Sequence, residues 1–270
     1  MKISYYVDKT LSFLRVKSPV GGLEISDTAL RFSHFDGLNW YVTGVRLPPG
    51  VMESGRIKDQ EKFSSALKEL KERIVVERGL KKRVSVAVSL SSISIYSQVF
   101  SLPIVEGESL DKAIQLNIQM VSPMEVAQSY SSWQAVGKDQ KSLRLEILSA
   151  FVDRSVVDAV SSALLEAGFL AVSAEPKSLS LARLLRELGG AESGASYILV
   201  NVDSSGVDFL VIRRGQLYFE YFNPWGDIAD KKGQISAEAF ETAATRSLHQ
   251  VINFYGKQWP EPIDKVLISA

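Results

Sequence analysis

The sequence contains no cysteine and only two histidines, His34 and His249, among 270 residues. The first absence removes a disulfide framework, a thiolate nucleophile and any cysteine-ligated metal site, and it fits a reducing cytoplasm. The second leaves too few imidazoles for a histidine-rich metal centre or a histidine-based triad. An excess of either charge is also lacking, because 31 Lys+Arg balance 31 Asp+Glu. A polyanion binder needs surplus or clustered cations to displace counterions, so nucleic acid is not the expected partner. No apolar run reaches the ~18 residues that cross a bilayer. The stretch from Met1 to Asp8 lacks the apolar core and small-residue cleavage site of a secretion signal.

What is present is the composition of a globular protein, 46% hydrophobic and 23% charged, long enough for one large or two moderate domains. Leu11, Phe13, Leu14 and Val16 alternate with Lys9, Arg15 and Lys17. They make a short basic amphipathic leader that either packs on the body or touches a membrane surface. Extended and helical patterns then alternate. Strands are expected at Gly22 to Ser26, Ala29 to Phe35 and Asn39 to Val45, with Asp36-Gly37 as a turn because glycine tolerates positive φ. A loop from Leu47 to Gly55 leads to a helix whose stripe is Phe63, Ala66, Leu67, Leu70 and Ile74.

Further on come strands Val84 to Leu90 and Ser94 to Phe100, a helix from Leu110 to Val121 stopped by Pro123, and strands near Tyr130 to Val136 and Leu143 to Phe151. The next helix carries Val156, Val157, Val160 and Leu164 and ends at Gly168. Ser178 is expected to cap a helix that Gly189-Gly190 terminates. The run Tyr197 to Val202 reads as a central strand apolar on both faces. Asp208 to Arg213 and Gln216 to Phe222 follow as strands, then a helix from Ser236 to Tyr255 and a short strand at Val266 to Ile268. Gly22 to Ser26 and Val200 to Ser204 each open a strand meander, which suggests two related lobes about a cleft.

At this level the chain resembles the actin-like ATPase superfold and, within it, the PilM-type pilus assembly proteins, with FtsA more distant. The segments that carry the resemblance are Val20 to Arg31, Leu47-Pro48-Pro49-Gly50-Val51 with Gly55 to Asp59, Ser101-Leu102-Pro103 before Ser109 to Val121, Leu165 to Arg183, and Val200 to Asp203. The resemblance implies an α/β, two-lobed actin-like (ribonuclease H-like) fold with a small α+β insert. The expected divisions are a leader at 1–17, a first lobe at 18–83 plus 172–195, the insert at 84–171, and a second lobe at 196–270. That last lobe stops at Ala270, ahead of the Gly-Gly adenosine turn and closing helix of the family, so it is expected to be incomplete.

By the same resemblance, Ser26, Asp27 and Thr28 in one turn and Asp203, Ser204, Ser205 and Gly206 in another would cradle the phosphates of Mg-ATP. The match is degraded. Ser26 stands where the first glycine belongs, Glu24 replaces an Asp, and Asn201 replaces an acidic residue. Asp203 replaces the second glycine; two unit charges ~4 Å apart at an effective dielectric near 20 repel by about 4 kcal/mol unless a cation intervenes. Gly206 could serve as a shifted turn glycine. These departures argue against hydrolysis more firmly than against binding, so no catalytic residue is assigned, and the cofactor is either none or Mg-ATP.

Purely structural readings stand beside these. Glu24 and Asn201 can be satisfied polar groups at strand ends, Ser204-Ser205-Gly206 a hairpin turn without ligand, and Glu175 a capping or hinge carboxylate. Trp225 is either a partner anchor, as aromatics are at interface hot spots, or part of a turn packed on its own sheet. The resemblance implies a cytoplasmic scaffold of the type IV pilus inner-membrane platform, reaching the membrane through partners, with possible motor or platform contacts and possible homo-oligomers. Its groove, around Ser85 to Phe100 and the Leu110 to Val121 helix, would take an extended peptide from the N-terminus of a PilN-like membrane protein. Two alternatives are a working nucleotide-binding actin-like protein and the cytoplasmic part of a type II secretion GspL-like protein.

Overall fold

A computed structural model describes residues 20–78, 83–104, 108–139, 143–188, 194–230 and 233–269. The leader at 1–17, the helix stop at Gly189-Gly190 and Ala270 lie outside the described residues.

The first sheet begins as the expected meander of β1 (Gly21–Ile25), β2 (Ala29–Phe35) and β3 (Trp40–Arg46). Asp36 Oδ1 accepts from the amides of Leu38 and Asn39 while Gly37 takes φ +103°, which closes the β2–β3 turn. The Pro/Gly loop contains a small hairpin, β4 (Met52–Glu53) with β5 (Arg56–Ile57). Helix α1 (Gln60–Arg78) buries Phe63, Leu67, Leu70 and Ile74 completely, as their three- and four-residue spacing demands. Strand β6 (Val84–Leu90) then lies parallel to β1, pairing Gly21 with Val86 through Ile25 with Leu90.

An antiparallel sheet of β7 (Ile95–Pro103), β9 (Arg144–Asp153) and β8 (Ser129–Asp139) forms the insert, with α2 (Glu108–Val121) packed on it. Leu102, Ile114, Ile118, Ile147 and Phe151 make a separate small core there. Helix α3 (Arg154–Glu166) is capped by Asp153, which accepts from the Ser155 amide at 2.8 Å, and Gly168 follows it at φ +84°. Strand β10 (Phe169–Pro176) pairs with β6, and α4 (Lys177–Glu187) follows at once.

The chain then builds a second sheet from β11 (Ser196–Val202), β12 (Gly206–Arg213), β13 (Gln216–Pro224) and β14 (Lys265–Ser269). Between β13 and β14 lie a short turn of helix, α5 (Trp225–Ile228), and the long α6 (Ala237–Gln258). Ser236 caps α6 by accepting from the Ala239 amide at 3.1 Å. The strand orders are β3-β2-β1-β6-β10 and β13-β12-β11-β14. Each is an antiparallel meander whose first strand pairs in parallel with the strand returning from a helix. That shared rule is the faint sequence echo made physical, and it gives the two-lobed actin-like fold.

Two expectations need correcting. The insert does not begin at 84 or run to 171. Val84, Val86, Val88 and Leu90 join the first core together with Val160, Ala163 and Leu164 of α3, so β6, α3 and β10 belong to the first lobe. The separate sheet comprises β7 to β9 alone. Ser178 is not a helix cap either, because Pro176 occupies that position and Ser178 is buried within α4. Proline suits a helix start, where a missing N–H costs nothing.

The insert also leans on the second lobe. Val136 and Leu148 enter the second core. Tyr218 Oη donates to Glu146 Oε2 at 2.9 Å and also lies 3.1 Å from the Val136 carbonyl oxygen, while Trp259 Nε1 donates to Glu146 Oε1 at 2.9 Å.

Candidate functional site

A cleft of about 670 Å³ opens between the two sheets, with Glu24, Arg31, Glu175, Lys177, Asp203 and Ser204 among its walls. Helix α4 forms its base and touches strands of both sheets, β6 and β10 on one side and β12 and β13 on the other. The second turn is closed from within. Asp203 Oδ1 accepts from the amides of Ser205 and Gly206 at 2.7 and 3.2 Å, and the Asp203 amide donates to the Gly206 carbonyl at 3.0 Å. The Asp203 carbonyl accepts from Trp225 Nε1 at 2.8 Å, and the Trp225 ring packs by Phe240, the self-packed reading of that residue. A Cβ on Gly206 would stand 2.3 Å from the Asn223 carbonyl oxygen, so glycine is needed there for close strand approach.

The other Asp203 oxygen is ion-paired with the Lys177 ammonium, which also lies 2.7 Å from Asp208 Oδ2. Asn201 Nδ2 donates to the same Asp208 oxygen at 3.1 Å. Burial pulls the Lys177 pKa down, but Asp208 and Asp203 outweigh it and hold the ammonium above its ordinary value. Lys177 is therefore the cation that neutralises Asp203, and it is supplied by the chain itself.

The first turn is likewise self-contained. Ser26 Oγ donates to the Ala29 carbonyl and accepts from the Ala29 amide. The Asp27 carboxylate accepts from the Ser54 and Gly55 amides at 2.8 and 2.9 Å, which ties the turn to the β4–β5 hairpin. Asp203 and Ser204 line the cleft, whereas Ser26, Asp27 and Thr28 are not among its lining residues. The remaining cleft carboxylates are also paired: Glu24 with Arg31 at 3.1 Å, and Glu175 with Arg183 and, at 2.7 Å, the Ser180 hydroxyl. Glu175 thus braces α4 through the side chains of Ser180 and Arg183, while Pro176 holds the cap position.

Sequence reasoning missed Lys177 and Asp208. A signal existed for Asp208, since it interrupts the apolar strand Val207-Asp208-Phe209-Leu210. Lys177 carried none beyond opening a helix.

A second concavity, about 210 Å³, separates the insert from the first lobe. Tyr130, Ser132 and Phe151 line it from the insert, and Leu90, Ala174 and Pro176 from the first sheet. Its flanking strands β8 and β10 are edge strands of their sheets, so each carries a row of backbone groups without a sheet partner. Of the span Ser85 to Phe100, Leu90 and Ile95 reach this groove; the Leu110 to Val121 helix is not among its walls.

No protein-family model matches the sequence, and no curated protein matches it. Among solved structures, a chain of the PilM–PilN type IV pilus biogenesis complex superposes with a TM-score of 0.72 at 16% identity. That match covers 93% of this chain and 81% of that one. The two chains share a fold. The cytoplasmic domain of EpsL, an inner-membrane component of the type II secretion system of Vibrio cholerae, matches at a TM-score of 0.49 and 13% identity over 82% of this chain and 79% of that one. The ethanolamine utilization protein EutJ from Carboxydothermus hydrogenoformans matches at 0.46 and 10% identity over 98% and 85%. Among the described residues no helix is long and apolar enough to cross a membrane.

Proposed function

We propose that this chain is a PilM-like scaffold of a type IV pilus inner-membrane platform, cytoplasmic and held at the membrane by a partner. Its groove between insert and first lobe captures the cytoplasmic N-terminal peptide of a PilN-like protein. The observation that carries this reading is the likeness in fold, over 93% of the chain, to a chain of a PilM–PilN complex. The groove supports it: a narrow apolar trough flanked by two edge strands suits an extended peptide, which gains main-chain hydrogen bonds from an edge and side-chain specificity from pockets.

In this reading the interlobe cleft is a degenerate nucleotide site. The amides of Ser205 and Gly206 serve Asp203, and Lys177 fills the place between Asp203 and Asp208. A polyphosphate would have to displace both, so the residues present do not fit Mg-ATP.

Calorimetric titration with a synthetic peptide of the PilN-like N-terminus tests the reading. Binding is expected in the micromolar range or tighter, and Ala174→Trp, which fills the groove from an exposed position, should abolish it. No heat at high micromolar peptide would reject the scaffold reading.

A further inference from the structure

Where α4, the insert and the second sheet meet, a buried carboxyl has two hydroxyls beside it and only an ammonium already shared with two aspartates. Glu220 sits on β13 and lines a crevice of about 610 Å³ between that strand and β7. Both its carboxyl oxygens are shielded from solvent, and neither completes a hydrogen bond. Four groups face it: the Ser178 hydroxyl and Lys177 ammonium from α4, the Ser97 hydroxyl from β7, and the Asp208 carboxylate from β12. The two hydroxyls and Asp208 Oδ1 are themselves buried without a partner. One ammonium thus serves a neighbourhood of three carboxyls, and it is already paired with Asp203 and Asp208.

A buried carboxylate without its own cation is strongly disfavoured against the neutral acid. Burial accordingly pushes the Glu220 carboxyl up to about 7; Asp208 adds to the rise, against the pulls of Ser178, Ser97 and Lys177. The neutral acid can donate a proton to an oxygen of Ser97, Ser178 or Asp208. The carboxylate can only accept, and it faces a second carboxylate.

We propose that Glu220 is a proton-operated latch: protonated, it seats the insert and α4 on the second sheet, and as the pH rises past neutrality the seat loosens. The elements it holds also wall the peptide groove, since Ile95 lies two residues before Ser97 and Pro176 two before Ser178. If the scaffold reading holds, on which this extension rests, peptide affinity falls as the latch opens.

The sign follows from linkage. The folded-state value of about 7 lies above the ordinary 4.5, so between these values the folded chain holds a proton that the unfolded chain releases. The contribution to stability is whole below about 4.5, declines as the pH rises towards 7 and is flat above that.

The test compares melting temperatures of the full chain and E220Q from pH 5 to 8.5. Glutamine keeps the shape and a donor without ionising. The variant's advantage over the native chain should grow with pH up to about 7.5; parallel curves overturn the latch. Should E220Q fail to fold, the native chain suffices. Amide protection of β7 and β13, corrected for intrinsic exchange, should fall about tenfold between pH 6 and pH 8, and unchanged protection overturns the latch. Titrating the PilN-like N-terminal peptide at both pH values reads the coupling. Weaker binding by the native chain at pH 8, with E220Q unaffected, is expected, and equal affinities overturn it. No binding at either pH, with the melting difference intact, removes the scaffold reading while the latch stands.

Discussion

Lys177 Nζ lies 2.7 Å from Asp208 Oδ2 at the back of the interlobe cleft, and both side chains are almost fully buried. Lysine enters from the first turn of α4, whose Leu179, Leu181, Ala182 and Leu185 pack in the second core, and aspartate from β12. With Asp203 as the third member, one ammonium ties the start of α4, which directly follows β10 of the first sheet, to the second sheet.

Removing that ammonium leaves two buried carboxylates opposed. Lys177→Met should cost about 3–5 kcal/mol, the usual penalty for orphaning a buried charge, and urea unfolding measures it. Lys177→Met combined with Asp208→Asn should recover part of the loss, because neutralising one carboxylate removes the repulsion. A single variant as stable as the native chain would show that the bridge ties nothing.

The self-filled second turn predicts indifference to nucleotide. A ligand at 100 times its dissociation constant stabilises by about 2.7 kcal/mol, which a melting scan resolves easily. Millimolar Mg-ATP is expected to leave the melting temperature of the native chain unchanged. A clear upward shift would revive the working-ATPase reading.

Arg56 and Asp153 join the β4–β5 hairpin to the start of α3 at 2.9 Å. The Arg56 guanidinium and the Ser155 hydroxyl and amide hold the Asp153 carboxyl down at about 2. Because the folded value lies below the ordinary 3.8, the pair's contribution is present above about 3.8 and is lost as pH falls towards 2. Carboxyl-detected NMR titration should find Asp153 among the most acidic groups, and Arg56→Ala should move it up towards the ordinary value.

Most of the fold was legible because it is written in periodicity. The α1 stripe of Phe63, Leu67, Leu70 and Ile74, the Asp36-Gly37 turn and the Gly168 helix stop depend on neighbours in sequence, and all stand where the pattern put them. What was illegible depends on pairing across the chain. Val84 to Leu90 alternates like any strand, and nothing local reveals that β1 rather than β7 is its neighbour. The candidate site divided the same way. Asp203 drew notice only through the family resemblance, and the cation that neutralises it lies 26 residues earlier in sequence. Local spacing cannot report such a contact.

The last prediction concerns how firmly the insert sits on the second lobe. Tyr218 and Glu146 lie 72 residues apart in sequence and 2.9 Å apart in space, one from β13 and one from β9. Burial, then the charge of Glu146, keeps the Tyr218 phenol well above its ordinary pKa, so it remains a donor throughout the working range. Glu146 has a second donor in Trp259, and the Arg213 guanidinium lies 3.6 Å away. Tyr218→Phe therefore leaves the carboxylate partly satisfied, and a cost of about 1–2 kcal/mol is expected rather than the full penalty of an orphaned charge. A double-mutant cycle with Glu146→Gln should return a coupling of about 1 kcal/mol, since contacting pairs in one network depart from additivity by that order. Additive losses would mean that the phenol and the carboxylate do not hold each other in solution, and the insert would then be free to part from β13.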